Sequence, residues 1–337
     1  MADDRPVWVV SDLHLGDGGP TDAFCGKDAQ LLDVVARARD AGARLVINGD
    51  AIDFHQAGDL TPVVRAHRDL FRALSAYGAR GHDEVVYVLG NHDDDLHAYE
   101  DLLHFRVCSR LRVGDDVVIE HGHRFDPWIG PNVHGAGIAT RVHHAVERAL
   151  GTRLRLPLED FYNPANRLAF WLFHKYSRFV DLTNVPLRWL GRDAHAAQRA
   201  AMIQYWTMNQ AGDPMMITGP ATEWARREGV RTIVCGHTHM PGVTEVDGVR
   251  YVNTGSWTFG WAALTTLEGG RARVRDVITG REHEDRLYRR LLDGELDALT
   301  FQRWWRNEYL GYFRFRSAEL RRRRRVASPA TATLGVS

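Results

Sequence analysis

Five short clusters gather the residues whose types and spacing can do chemistry: Asp12-x-His14, Gly49-Asp50-x-x-Asp53, Gly90-Asn91-His92-Asp93, His121-Gly122-His123 and Gly236-His237-Thr238-His239. Together they offer carboxylate, imidazole and amide oxygen. Hard oxygen donors mixed with imidazole suit Mn²⁺, Fe, Zn²⁺ or Co²⁺, and the lack of thiolate argues against a structural zinc site. The set holds more ligands than one ion needs, so two divalent ions are expected. In extended chain, residues i and i+2 point the same way, so Asp12 with His14, and His237 with His239, can each converge on a small volume. Glycines 49, 90, 122 and 236 stand beside these residues, where a missing side chain lets backbone and metal approach closely. A lone Asp-x-His is more often a surface pair; five clusters in order, each after an apolar run, are not a chance assembly.

Those apolar runs are the elements that must position the clusters. Val7 to Val10, Leu45 to Ile47 and Val85 to Leu89 read as strands. They alternate with helical patterns through Leu31 to Ala38 and around Val63 to Leu74, in βαβαβ order. Each strand is followed directly by a cluster, and ligand sites of open α/β sheets lie at such carboxyl ends. Val117 to Glu120 and Thr232 to Cys235 are further strand candidates. Asp247-Gly248 marks a hairpin and Gly269-Gly270 another turn. Between the two halves, from Phe125 to about Met216, helix-like segments rich in His, Arg and large aromatics read as an inserted cap.

The remaining properties narrow the function classes. At 337 residues, 44% hydrophobic and 26% charged, the chain can bury a full core without disulfides. Zero formal net charge gives no general attraction to nucleic acid, and the basic residues cluster at the tail rather than around the site, so nucleic acid is disfavoured as a partner. The three cysteines, Cys25, Cys108 and Cys235, are widely spaced, as buried thiols of a reducing compartment are. The first residues carry two acids and no basic region ahead of a long apolar one, so a cytoplasmic protein is expected. Leu168 to Leu190 is interrupted by Lys175, Arg178, Asp181 and Arg188 and is not expected to span a membrane.

In their order and spacing the five clusters resemble the calcineurin-like metallophosphoesterases, whose signature runs DxH, GDxxD, GNH(D/E), an isolated His, and GHxH. The resemblance covers roughly residues 6 to 125 and 216 to 280. It implies an α/β fold in which a β-sandwich is flanked by helices (α/β/β/α). The expected organisation is a core of 1–125 with 216–280, a helical cap at 126–215, an aromatic and arginine-rich segment at 281–325, and a disordered tail at 326–337. Asp12, His14 and His239 would bind one metal, Asn91, His121 and His237 the other, with Asp50 bridging; manganese is the first choice. A hydroxide shared by the ions would attack phosphorus, and His92 would protonate the leaving oxygen. Asp53 and Asp93 are expected to orient histidines. His123 is open between a backbone-satisfied residue and a substrate contact. Arg124 could hold a phosphate oxygen or simply be solvated. A non-enzymatic scaffold would have eroded ligands, and none is eroded here.

Within that family, the block His121 to Asp126, the long insertion and Asn253-x-Gly255-Ser256-Trp257 look most like UDP-2,3-diacylglucosamine hydrolases, which cleave a lipid-linked pyrophosphate at the membrane surface. The chain departs from that branch at His92, where the branch carries arginine after the asparagine. Phe170, Trp171, Phe173, Tyr176, Phe179, Trp189 and Trp206 would either line an acyl chamber or pack the cap. A soluble phosphodiesterase or phosphomonoesterase acting on a nucleotide or small metabolite is the competing expectation. The stretch Phe301 to Arg316, followed by Arg321 to Arg325, mixes aromatics with arginine as interfacial segments do, so peripheral contact with anionic lipid on the inner membrane face is weighed against simple packing and solvation.

Overall fold

The computed structural model describes residues 5–151 and 214–283, apart from short exceptions at 25, 103, 127–128, 131–132, 240, 259–261, 279 and 281, and a few single positions between 179 and 190. Two sheets stack face to face. In the first, β1 (Val7–Val10), β2 (Arg44–Asn48), β3 (Val85–Val88) and β4 (Arg106–Cys108) run parallel in that order. The antiparallel pair β10 (Ala263–Glu268) and β11 (Arg271–Asp276) is added beside β1. In the second, β5 (Leu111–Val113), β6 (Val117–Ile119), β7 (Thr232–Cys235), β9 (Val249–Asn253) and β8 (Gly242–Val246) lie in that order, with β6, β7 and β9 parallel.

Strand periodicity sorts the apolar residues into layers. Val7 and Val9 of β1, Val46 of β2 and Val86 and Val88 of β3 meet Leu111, Ile119, Val234 and Val252 of the facing sheet to form the sandwich core. Their neighbours Val10, Leu45, Ile47, Val85 and Tyr87 point outward under two helices, α1 (Asp28–Asp40) and α4 (Arg68–Gly78). Both faces are covered, and so the strands read as unbroken apolar runs. Helix α1 buries Leu31, Val34, Val35 and Ala38, the i, i+3, i+4, i+7 stripe, and carries Asp28 in its first turn and Arg37 and Arg39 in its last, as the helix dipole favours. Across the other sheet, Ile217, Ala221 and Ala225 of α6 (Pro214–Arg227) pack on Val118, Ile233 and Tyr251. The layers are therefore α/β/β/α.

Two departures from the sequence reading have physical causes. Strands β4 and β5 have three residues each and include Arg106 and Arg112, so they lack the unbroken apolar run that marks the equally short β6. The helix expected around Val63 to Leu74 is two helices, α3 (Leu60–Ala66) and α4, broken at His67, whose backbone leaves the helical region (φ −115°, ψ 35°). The break serves the side chain. The buried His67 ring donates from Nδ1 to Asp28 at 2.7 Å and brings Nε2 to 3.5 Å from Asp22, pinning α4 to α1 and to the loop after β1. Burial pulls the ring's pKa down, but the two carboxylates outweigh it and hold it above the ordinary value. A raised histidine pKa stabilises the fold below the unfolded value of about 6.5, and that contribution is lost as pH rises through the folded value. His67→Gln is therefore expected to cost about 1 kcal/mol near pH 6, discounted because Asp28 is partly exposed. Thermal unfolding should show the gap to wild type narrowing toward alkaline pH; a constant gap would show that the imidazolium contributes nothing.

Of the region read as a cap, α5 (Val133–Leu150) is described and packs against the short helix α2 (Phe54–Ala57). Phe179 and Trp189 are 63% and 87% exposed, so neither packs into the core. The aromatics at 170, 171, 173, 176 and 206 and everything from 284 onward lie outside the described residues. No helix among the described residues is long and apolar enough to cross a membrane.

Candidate metal centre

All five clusters arrive at the carboxyl ends of strands. β1, β2 and β3 deliver Asp12 with His14, Asp50 with Asp53, and Asn91 with His92; β6 and β7, in the facing sheet, deliver His121 and His237. The turns that aim these side chains are strained. Among the described residues, the non-glycine positions with φ in the left-handed region are Asp12 (50°), His14 (46°), Asp50 (51°), His237 (66°), His239 (59°) and Asp247 (49°). Only Asp247 serves a hairpin; the other five are site residues, held where L-amino acids rarely sit, as functional residues often are. Space is made by glycine. A Cβ at Gly90 would overlap the Asp50 carboxylate, and one at Gly236 the Asp12 carboxylate.

Two triads result. Asp12, His14 and His239 bring one ligand atom each within 4.8 Å of one another, and Asp50, His121 and His237 do the same. In the first, His239 Nε2 lies 3.2 Å from Asp12 Oδ1; in the second, His121 Nε2 lies 3.2 Å from Asp50 Oδ2. Asn91 Oδ1 is buried without a hydrogen-bond partner.

The donor set fits divalent cations. His121 donates from Nδ1 to the Asn48 carbonyl at 2.9 Å, which leaves the lone pair of the neutral ring on Nε2, facing the Asp50 carboxylate. His14 donates from Nδ1 to Asp53 at 3.1 Å, and its Nε2 is buried without a hydrogen-bond partner. His237 is tied through Nε2 to Asp126 at 3.0 Å, which frees Nδ1. Metal-binding histidines carry such a bond on the nitrogen that does not bind, and it fixes tautomer and ring orientation. A lone pair aimed at a carboxylate calls for positive charge between them. The electrostatics agree: burial opposes charge on the His121 ring, but Asp50 and Asp12 push its pKa up to about 10.

The carboxylate of Asp53 hydrogen-bonds two histidines. Oδ2 accepts from His14, while Oδ1 accepts from His92 Nδ1 at 3.2 Å and from the Gln56 amide at 3.1 Å, where Asp53 caps α2. Burial raises its pKa, but His92 and His14 hold it well below the usual carboxylate range. The His92 amide donates to Asp50 Oδ1 at 2.8 Å, and its ring sits 4.7 Å from that of His14.

Asp93 corrects the sequence reading. It orients backbone rather than histidine, accepting from the amides of Gly90 (2.6 Å) and Ala51 (2.8 Å) and from the Tyr87 hydroxyl (2.6 Å). It thereby locks two site loops together, and burial with Asp50 nearby lifts its pKa to about 6. His123 lies beside His121, ring centres 5.6 Å apart, with Nδ1 buried and unpartnered. Burial and then His121 push its pKa down to about 3, so it is a neutral ring at the site's edge. Arg124 is engaged elsewhere: its guanidinium pairs with Glu120, shares that carboxylate with Arg110, and lies 4.6 Å from the centre of the Trp224 ring.

Other contributors were not legible as such. Asp126 stood next to a recognised cluster, but its bond to His237 spans 111 positions. Asn253 donates to the Gly236 carbonyl and the Thr238 hydroxyl, both at 2.9 Å, bracing the turn that carries His237 and His239. The Trp257 amide donates to the Asp12 carbonyl at 3.0 Å.

A helix-flanked β-sandwich with aspartate and histidine triads at its strand ends defines a metal-dependent phosphoesterase. The model of the calcineurin-like phosphoesterases matches residues 5–241, well over half of the chain, which belongs to that family. A UDP-2,3-diacylglucosamine hydrolase of Pseudomonas savastanoi pv. phaseolicola is 25% identical over 247 residues, covering 67% of this chain and 94% of that one. Among solved structures, a dimetal phosphatase from Danio rerio is similar at 14% identity and a TM-score of 0.40, with 81% of this chain and 96% of that one covered. The phosphoesterase Yfce from E. coli matches at 14% identity and 0.38, over 82% and 96%.

Proposed function

We propose that this protein hydrolyses a phosphoester or pyrophosphate bond with two divalent ions, manganese first among them. Asp12, His14 and His239 would hold one ion, Asn91, His121 and His237 the other, and Asp50 would lie between them. The observation that carries the reading is the pair of triads in which His14, His121 and His237 each have one nitrogen tied away from the site. Ions held there would supply charge to clamp the phosphoryl oxygens and an activated water at neutral pH. The chain supplies the proton: His92, held through Nδ1 by Asp53, presents Nε2 to the leaving oxygen.

For the substrate we propose a nucleotide-linked or lipid-linked pyrophosphate resembling UDP-2,3-diacylglucosamine. Support comes from the hydrolase similarity over 94% of that relative and from the aromatic-rich insertion. His92 itself favours a second reading, a phosphodiesterase or phosphomonoesterase acting on a soluble nucleotide or metabolite, since it is the general phosphoesterase residue at that position. A manganese-supplemented assay of UDP-diacylglucosamine beside bis-p-nitrophenyl phosphate and cyclic nucleotides separates them. Preferential cleavage of the lipid-linked pyrophosphate is expected, faster turnover of a cyclic nucleotide would establish the second reading, and no turnover of any would sink both.

A further inference from the structure

Helix α5 belongs to the insertion, yet it sends two polar side chains into the catalytic layer. His144 and Glu147, one turn apart, are 4% and 2% exposed. His144 Nδ1 donates to Glu147 Oε2 at 2.8 Å, and its Nε2 comes to 3.5 Å from Asp53 Oδ2. The other Glu147 oxygen accepts from His143 Nε2 at 3.1 Å, so this carboxylate grips two successive rings of its own helix. A glutamate this buried has no reason to face the core unless it holds something.

Asp53 is the hub of the site, and its surroundings give His144 a role. A carboxylate has about four acceptor positions. Here Gln56 and His92 donate to one oxygen and His14 to the other, and His144 Nε2 approaches that second oxygen to 3.5 Å. His14 and His92 come from loops that carry the clusters, Gln56 from α2, and His144 from α5. Packing agrees, because α5 lies on α2, the helix that Asp53 caps, and a side chain at Gly137 would press on His55, whose ring is 4.6 Å from that of His92. With its second oxygen held by His14 alone, Asp53 could turn about its side-chain bonds and carry His92 with it.

We infer that His144, held by Glu147, is a positioning residue for the Asp53 and His92 pair, so that the inserted helix completes the acid side of the site. The inference rests on the proposed hydrolytic function. It touches neither triad directly, and so its loss should spare metal binding and weaken proton donation.

The test uses the full-length, manganese-loaded protein with methyl p-nitrophenyl phosphate, whose leaving group needs little protonation, and methyl phenyl phosphate, whose leaving group needs more. His144→Leu and Glu147→Gln are each expected to lower kcat on the phenyl ester about tenfold more than on the p-nitrophenyl ester, with KM and bound manganese unchanged. His144→Gln, which keeps a donor for Asp53, should recover part of the difference. A readout free of turnover is the double-mutant cycle of His144→Leu and Asp53→Asn on thermal unfolding, where non-additive shifts are expected. Equal losses on both esters, or additive shifts, would overturn the positioning role while leaving the hydrolase intact. A wild-type protein inert on both esters and on UDP-diacylglucosamine would overturn the proposed function itself, and this role with it.

Discussion

Asp50→Asn is expected to remove roughly 10³-fold of turnover and most of the bound metal together. The size follows from how many parts of the site this carboxylate joins. Oδ2 faces His121 at 3.2 Å and Oδ1 accepts the His92 amide at 2.8 Å, so one side chain connects the second triad to the loop that carries His92. Its pKa is driven well below the usual range by His121, His92 and His14, against the opposing effect of burial. A carboxylate held in its ionised form is the kind of ligand that neutralises divalent cations. Asparagine keeps the shape and one acceptor but not the charge. Metal content by elemental analysis and kcat on bis-p-nitrophenyl phosphate should fall together. Retention of both metals with near-normal turnover would show that Asp50 does not bridge.

His92→Ala is expected to separate what Asp50→Asn joins. Metal content should stay at the wild-type level, while turnover on substrates with poor leaving groups falls about 10² to 10⁴-fold. The geometry explains the difference. The His92 backbone amide, which contacts Asp50, survives the substitution, whereas the ring that Asp53 holds through Nδ1 is lost. Substrates whose leaving group departs without a proton should suffer far less. A loss of equal size on p-nitrophenyl and alkyl esters would mean that the ring binds the phosphate rather than protonating the leaving oxygen.

Much of this site was legible from residue type and local spacing. Asp-x-His and His-x-His after a strand place two ligands on one side, and adjacent glycine marks where backbone must come close; the positive φ values at Asp12, His14, Asp50, His237 and His239 are the structural counterpart of that pattern. The strands were legible for the same reason: residues buried on both faces leave an uninterrupted apolar run. The reading failed where a structure had no local signature. β4 and β5 lack an unbroken apolar run, and the helix break at His67 depends on Asp22 and Asp28, 45 and 39 positions away. For Asp93 the type was read correctly and the partner wrongly, because a buried carboxylate accepts from whatever donors the loops bring, here two amides and a tyrosine.

By itself, then, the sequence determined the inventory: which residues could bind metal, their order, and the strand ends that carry them. Tertiary structure decided the wiring. The Asp12 carboxylate accepts an amide 225 positions away, Asp126 holds His237 across 111, and α5 brings His144 back to Asp53. Ligand type is a property of one side chain and spacing a property of a few, so both are written locally. Which nitrogen is tied, which oxygen is shared and which helix closes the site depend on groups that meet only when two sheets stack and their strand ends face one another.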